Sequence, residues 1–119
     1  MGFFGQLTNL FSRTGRADNR MRQAMDHAHA NRPEKAIAIY DSLLNGNGTG
    51  PTVQARALFN RALAHSSMKD DPKAIVDLEK VVSMPGAPEN VLSAARNQLV
   101  RVRNRVQRAR DRGKRSEVV

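Results

Sequence analysis

Apolar residues along the chain recur three and four positions apart, the spacing that lines one face of a helix, and no stretch alternates apolar and polar over a strand's length. The longest seam is Leu92, Ala95, Leu99, Val102, Val106 and Ala109, which keeps heptad spacing. Proline and glycine punctuate the pattern. Pro33, Gly50-Pro51, Asp71-Pro72 and Pro88-Glu89 mark helix starts, because a proline in the first turn loses only an N–H that has no partner there. Asp71-Pro72 is the clearest of these, with the Asp71 carboxylate expected to accept from an orphan backbone N–H. Asn45-Gly46-Asn47-Gly48, Pro85-Gly86 and Gly113 mark the stops. The pattern predicts an all-α chain with helices near 3–12, 17–30, 33–44, 51–68, 72–84 and 88–112.

The helices repeat. Lys35-Ala36-Ile37, Tyr40-Asp41 and Leu43-Leu44 recur as Lys73-Ala74-Ile75, Leu78-Glu79 and Val81-Val82, an offset of 38 residues. Met21, Ala24 and His27 fall on Phe59, Ala62 and His65 at the same offset. The alanines are the mechanical part of the design. Ala24 with Ala36, and Ala62 with Ala74, let two helices of a pair approach closely where longer side chains would hold them apart.

On these residues the sequence resembles the tetratricopeptide repeat family, whose unit has a small residue in mid helix A, an early Ala in helix B, an aromatic or Leu four residues later and a Pro near its end. Ala57 to His65, then Asp71 to Val82 and Pro85, carry the likeness best. The first repeat is looser, with Arg20 at a position that is usually apolar and about four extra residues in its closing loop. The resemblance implies a tetratricopeptide-like helix-hairpin solenoid of two repeats, about 17–46 and 51–85, and a capping helix at 88–112. Residues 1–16 precede it as an amphipathic segment, and 113–119 are expected to form a disordered basic tail. It also implies a concave groove, lined by the helix A faces, that receives a helix or peptide of a partner protein. Mapped by position, that groove is Met21, Met25 and His29 from the first repeat and Arg56, Phe59, Asn60, Leu63 and Ser67 from the second. Two methionines, a Phe and a Leu make it apolar, and Met adapts to irregular guests. The implied role is a non-catalytic adaptor or scaffold. Two repeats are fewer than a solenoid usually needs, so self-association into a homo-oligomer or a bound partner is expected to cover an apolar face.

Composition bears on the partner. Lys and Arg number 20 against 11 Asp and Glu, for a formal net charge of +9, which favours anionic partners such as an acidic protein, nucleic acid or an anionic membrane surface. The excess is terminal: residues 1–35 carry 6 basic and 3 acidic groups, 36–95 carry 5 and 6, and 96–119 carry 9 and 2. Arg101, Arg105, Arg108 and Arg112, followed by Lys114 and Arg115, form a guanidinium stripe opposite the last apolar seam, suited to phosphates or carboxylates. It is the alternative functional element, a binder of nucleic acid or of an anionic membrane surface; the bland reading is a solvated face. Three of the five aromatic residues lie at the start of the chain. Phe3, Phe4, Leu7, Leu10 and Phe11 share one face of a short helix there and suggest a docking segment, for the chain's own groove, a second copy or a membrane.

Catalytic chemistry has little to work with. The chain has no Cys, no His-Glu-x-x-His spacing and no phosphate loop of the Gly-x-x-x-x-Gly-Lys type, and Gly46 to Gly50 follows a helix rather than a strand. His27 and His65 occupy equivalent repeat positions and are expected to be partly buried structural residues. No enzyme, cofactor or metal site is therefore expected. No apolar run approaches the roughly 20 residues of a membrane span. The first residues lack the basic and apolar regions of a secretory signal, so a cytoplasmic protein is expected, with peripheral membrane contact as the open alternative.

Overall fold

Prolines open the central helices where the sequence puts them, and the whole chain is helical between short turns. The computed structural model describes the backbone of residues 2–46 and 48–118 and the side chains of residues 15–46 and 48–117. Its elements are α1 (Gly2–His29), α2 (Pro33–Asn45), α3 (Pro51–Ser67), α4 (Asp71–Val82) and α5 (Glu89–Val118), with no strand among the described residues. The expected docking residues Phe3, Phe4, Leu7, Leu10 and Phe11 lie outside the described side chains.

The structure departs from the sequence pattern at three points. The two helices expected at 3–12 and 17–30 are one, α1, and α5 runs through Gly113 to Val118 where a stop and a disordered tail were expected. The reason is the same in both: Gly15 and Gly113 keep negative φ and make no close approach, so each weakens a helix without ending it. The third departure is the cap of α4. Asp70, not Asp71, accepts from the Lys73 N–H at 3.3 Å, because Asp71 is already the first helical residue. Asp71 instead accepts two hydrogen bonds from Arg105 of α5, at 2.8 and 2.9 Å.

Residues 30–32 and 68–70 are the only links between α1 and α2 and between α3 and α4, so each pair must run antiparallel. Both turns are built alike. Asn31 and Lys69 are left-handed, with φ of 60° and 62°. The N–H groups of Arg32 and Asp70 return to the carbonyls of His27 and His65 at 2.8 and 2.9 Å, tying up the last carbonyls of α1 and α3. These residues stand 38 apart, so the repeat read from side chains is also a repeat of backbone geometry. Each helix packs on the next; α3 also touches α1 and α5, while α2 and α4 do not touch. Thus α1, α3 and α5 form one layer and α2 and α4 the other. Gly86, at φ 81°, turns the chain from α4 into α5, at a place where an added Cβ would lie 3.3 Å from the Pro51 ring.

Two apolar clusters hold the layers together. One joins Met21, Ala24, Ala36, Tyr40 and Leu43 with Ala57 of α3. The other joins Ala55, Leu58 and Ala62 with Ala74, Leu78, Val81, Val91, Ala95, Leu99 and Val102. Leu44 packs against both. Ala36 and Ala74 are each fully buried, as are Ala24 and, nearly, Ala62, which is the close helix approach that small residues permit.

An ion cluster crosses three helices. Arg61 of α3 grips Asp77 of α4 with Nε and Nη2, both at 2.8 Å, and reaches Asp41 of α2 with Nη1 at 2.8 Å. The Asp77 carboxylate is buried, with His65 Nε2 at 4.0 Å on its other side. The hydrogen bonding that Arg61 donates to the Asp77 carboxylate is the main cause that raises its guanidinium above its ordinary value, against the opposing effect of burial.

Candidate functional site

The faces of α1 and α3 that lie over the first apolar cluster leave a cleft of about 220 Å³ between them. Met25, Ala28 and His29 line it from α1, and Asn60, Leu63, Ala64 and Ser67 from α3. On α3 the lining follows the helix period, since Asn60, Leu63 and Ser67 sit three and four residues apart. Tyr40 of α2 forms its floor. Met25 is 39% exposed and Leu63 38%, and the two line the same cleft from opposite helices. Ser67 Oγ donates to the Ala64 carbonyl at 2.7 Å.

Of the eight residues expected in a groove, five meet here: Met25, His29, Asn60, Leu63 and Ser67. The other three do not. Met21 is buried beneath, its sulfur 3.7 Å from the Asn60 side-chain nitrogen, which donates to it. Phe59 packs against the second cluster and does not line the cleft. Arg56 is exposed on the same α3 face, one turn before Asn60 and beyond the cleft wall. Ala28, Ala64 and Tyr40 were not anticipated. Alanine carries no signal of orientation, and Tyr40 matches a core position of the repeat.

Tyr40 is 1% exposed and is the chain's single tyrosine, without any Trp, so its hydroxyl can be followed spectroscopically. Burial pushes its pKa up from 10.0 to about 12. A raised acid is neutral in the folded state, so the stability it contributes is complete below pH 10 and is lost as pH rises toward about 12. Tyrosinate absorbance is expected to appear near pH 12 in the folded chain and near pH 10 in denaturant. A midpoint near 10 in the folded chain would refute this placement of the ring.

His27 and His65 are half-buried, and His29 is exposed at the cleft. Among the described residues no group of three His, Asp or Glu is placed to hold a metal ion, and no helix is long and apolar enough to cross a membrane.

The basic stripe forms a second surface. Arg101, Asn104, Arg105, Arg108 and Arg112 line one shallow trough on α5. Arg105 is tied to Asp71, whose carboxyl this bond holds below its ordinary value. Arg103, on the opposite flank, is bonded to Glu79 at 2.7 Å. Arg101, Arg108, Arg112, Lys114 and Arg115 have no carboxylate partner among the described residues, and all five are exposed. From Gln107 to Glu117 every side chain is exposed, so this part of α5 stands clear of both clusters. No protein-family model, curated protein or solved structure matches the chain.

Proposed function

We propose that this chain is a non-catalytic interaction module that holds an amphipathic helix or peptide of a partner protein in the cleft between α1 and α3. On this reading the two helix pairs are tetratricopeptide-like repeats and α5 is their cap. The observation that carries it is the cleft itself, where Met25 and Leu63 remain about two-fifths exposed above a buried floor. A helical guest would cover both, and an apolar face with anchors three and four residues apart matches the period of the α3 wall. The 38-residue recurrence of turns and buried alanines supports the repeat assignment. Arg56 and His29 at the margin favour acidic flanks on the guest.

A library of displayed amphipathic helical peptides, selected on the full chain, tests the reading. Selected peptides are expected to lose about tenfold or more in affinity for Leu63→Asp and for Met25→Asp, since a charge in a desolvated anchor position is not tolerated. Both side chains are exposed, so helicity should be unchanged. Peptides that bind both variants as they bind the parent would remove the cleft from consideration.

A further inference from the structure

We infer that the free half of α5 is a second binding element, which seats in the major groove of B-form DNA and holds the phosphates on both sides of it without reading sequence. The inference goes beyond the cleft and does not depend on it.

Successive residues of a helix turn about 100°. From Arg101 onward that rotation sorts the cations of α5 into two opposed flanks. Arg101, Arg105, Arg108, Arg112 and Arg115 fall on one, and Arg103, Arg110 and Lys114 on the other, which also carries Glu117 at its far end. Between the flanks, along one edge, lie Ala109, Gly113 and Ser116, the continuation past the core of the seam that buries Leu99 and Val102. A helix with a smooth edge and a basic row on either side is the complement of a groove walled by two phosphate strands. The dimensions agree. A helix is about 10–12 Å across with its side chains, and the B-form major groove is about 12 Å wide.

Two of these arginines have another duty. Arg105 on Asp71 and Arg103 on Glu79 fasten opposite flanks of α5 to α4, so the free half leaves the body at a set angle. Six cations then remain for a ligand: Arg101, Arg108, Arg110, Arg112, Lys114 and Arg115. The nearby carboxylate of Asp111 is engaged by Gln107, whose side-chain nitrogen donates to it at 3.1 Å.

Other polyanions fit less well. From Gln107 to Glu117 there is no large apolar side chain, so the helix has nothing to insert into a bilayer. It has no aromatic side chain on which an unpaired base could stack. The major groove of duplex RNA is deep and narrow, closed to a helix of this width.

Fluorescence anisotropy of the full chain with a labelled DNA duplex of about 20 base pairs and mixed sequence tests the assignment. Six neutralised phosphates predict a slope of log affinity against log salt near −5, about a thousandfold loss between about 50 and about 200 mM salt. Arg108→Glu/Arg112→Glu/Arg115→Glu should flatten the slope by about 3, one for each phosphate no longer neutralised. Ala109→Leu changes no charge and lies beyond the core, yet should weaken binding about tenfold by crowding the groove-facing edge. Leu63→Asp should leave duplex binding unchanged.

Circular dichroism checks that each variant is folded. No binding to the duplex at about 50 mM salt overturns the proposal. So does equal affinity for an RNA duplex of the same length, tighter binding to vesicles of phosphatidylcholine and phosphatidylserine, or full affinity in Ala109→Leu.

Discussion

Arg61→Leu is expected to cost about 3–5 kcal/mol, because it leaves the buried Asp77 carboxylate without its bidentate partner. Asp77 is 3% exposed, and with Arg61 gone the His65 imidazole stands 4.0 Å from its carboxylate, too far for a hydrogen bond. A loss of that size lowers the midpoint of thermal unfolding by well over about 10 °C in a domain of this length. Two companion variants isolate the cause. Asp41→Asn removes only the half-exposed arm of the cluster and should cost about 1 kcal/mol or less. Arg61→Leu/Asp77→Leu removes both buried charges together and should recover most of the loss, since an apolar pair of similar size can replace a buried ion pair. Thermal melts followed by circular dichroism read all three. If Arg61→Leu melts no lower than Asp41→Asn, the cluster does not join α2, α3 and α4 as described.

Tyr40→Ala is the second large effect, about 3–5 kcal/mol for removing a buried aromatic side chain. Tyr40 sits among Met21, Ala24, Ala36 and Leu43, and it is the largest member of a cluster otherwise rich in alanine, so little else can fill the gap. The cavity would open directly into the cleft above. The damage should also be local. Among the described residues, α1 and α2 meet the rest of the chain only through α3, and stacked helix pairs lose order from the weakened end. Hydrogen exchange is expected to show reduced protection across α1 and α2 while α4 and the buried part of α5 keep theirs. Tyr40→Phe, which keeps the ring, should change little. An equal drop in protection in all five helices would mean that the two clusters are one cooperative unit.

Much of the architecture follows from short-range rules applied to particular residues. Pro33 and Pro51 open α2 and α3 because a first-turn proline loses no hydrogen bond. Ala36 and Ala74 are buried at equivalent points because the helical period and the 38-residue repeat both place them there. Where the pattern misled, the residue involved was ambiguous in isolation. A glycine such as Gly15 or Gly113 ends a helix only if its backbone leaves the helical conformation, as Gly46 does after α2 with φ −76° and ψ 145°, and that depends on how the next residues of the chain pack. Asp70 and Asp71 are adjacent and chemically alike; Asp70 caps α4, while Asp71, its first helical residue, is bonded by Arg105, 34 residues away.

The cleft was legible in part for the same reason. Met25 and His29, and Asn60, Leu63 and Ser67, share helix faces that the period alone identifies. That Phe59 leaves that face for the second cluster, and that Tyr40 reaches the cleft from below, depended on how α2 and α5 pack against α3. Asp77 gave one clue, a carboxylate in register with Ala74, Leu78 and Val81 on a buried face. Its partner Arg61, 16 residues away on another helix, was not readable from that register.

By itself, then, the sequence determined where the helices lie, their repeat, which faces are apolar and where positive charge gathers, because these depend on neighbours within a turn or two of helix. The tertiary structure alone decided which charges pair, which arginines of α5 stay free and which apolar residues remain open in a cleft. Each of those depends on atoms brought together from distant parts of the chain, where the spacing along the sequence no longer constrains the distance in space.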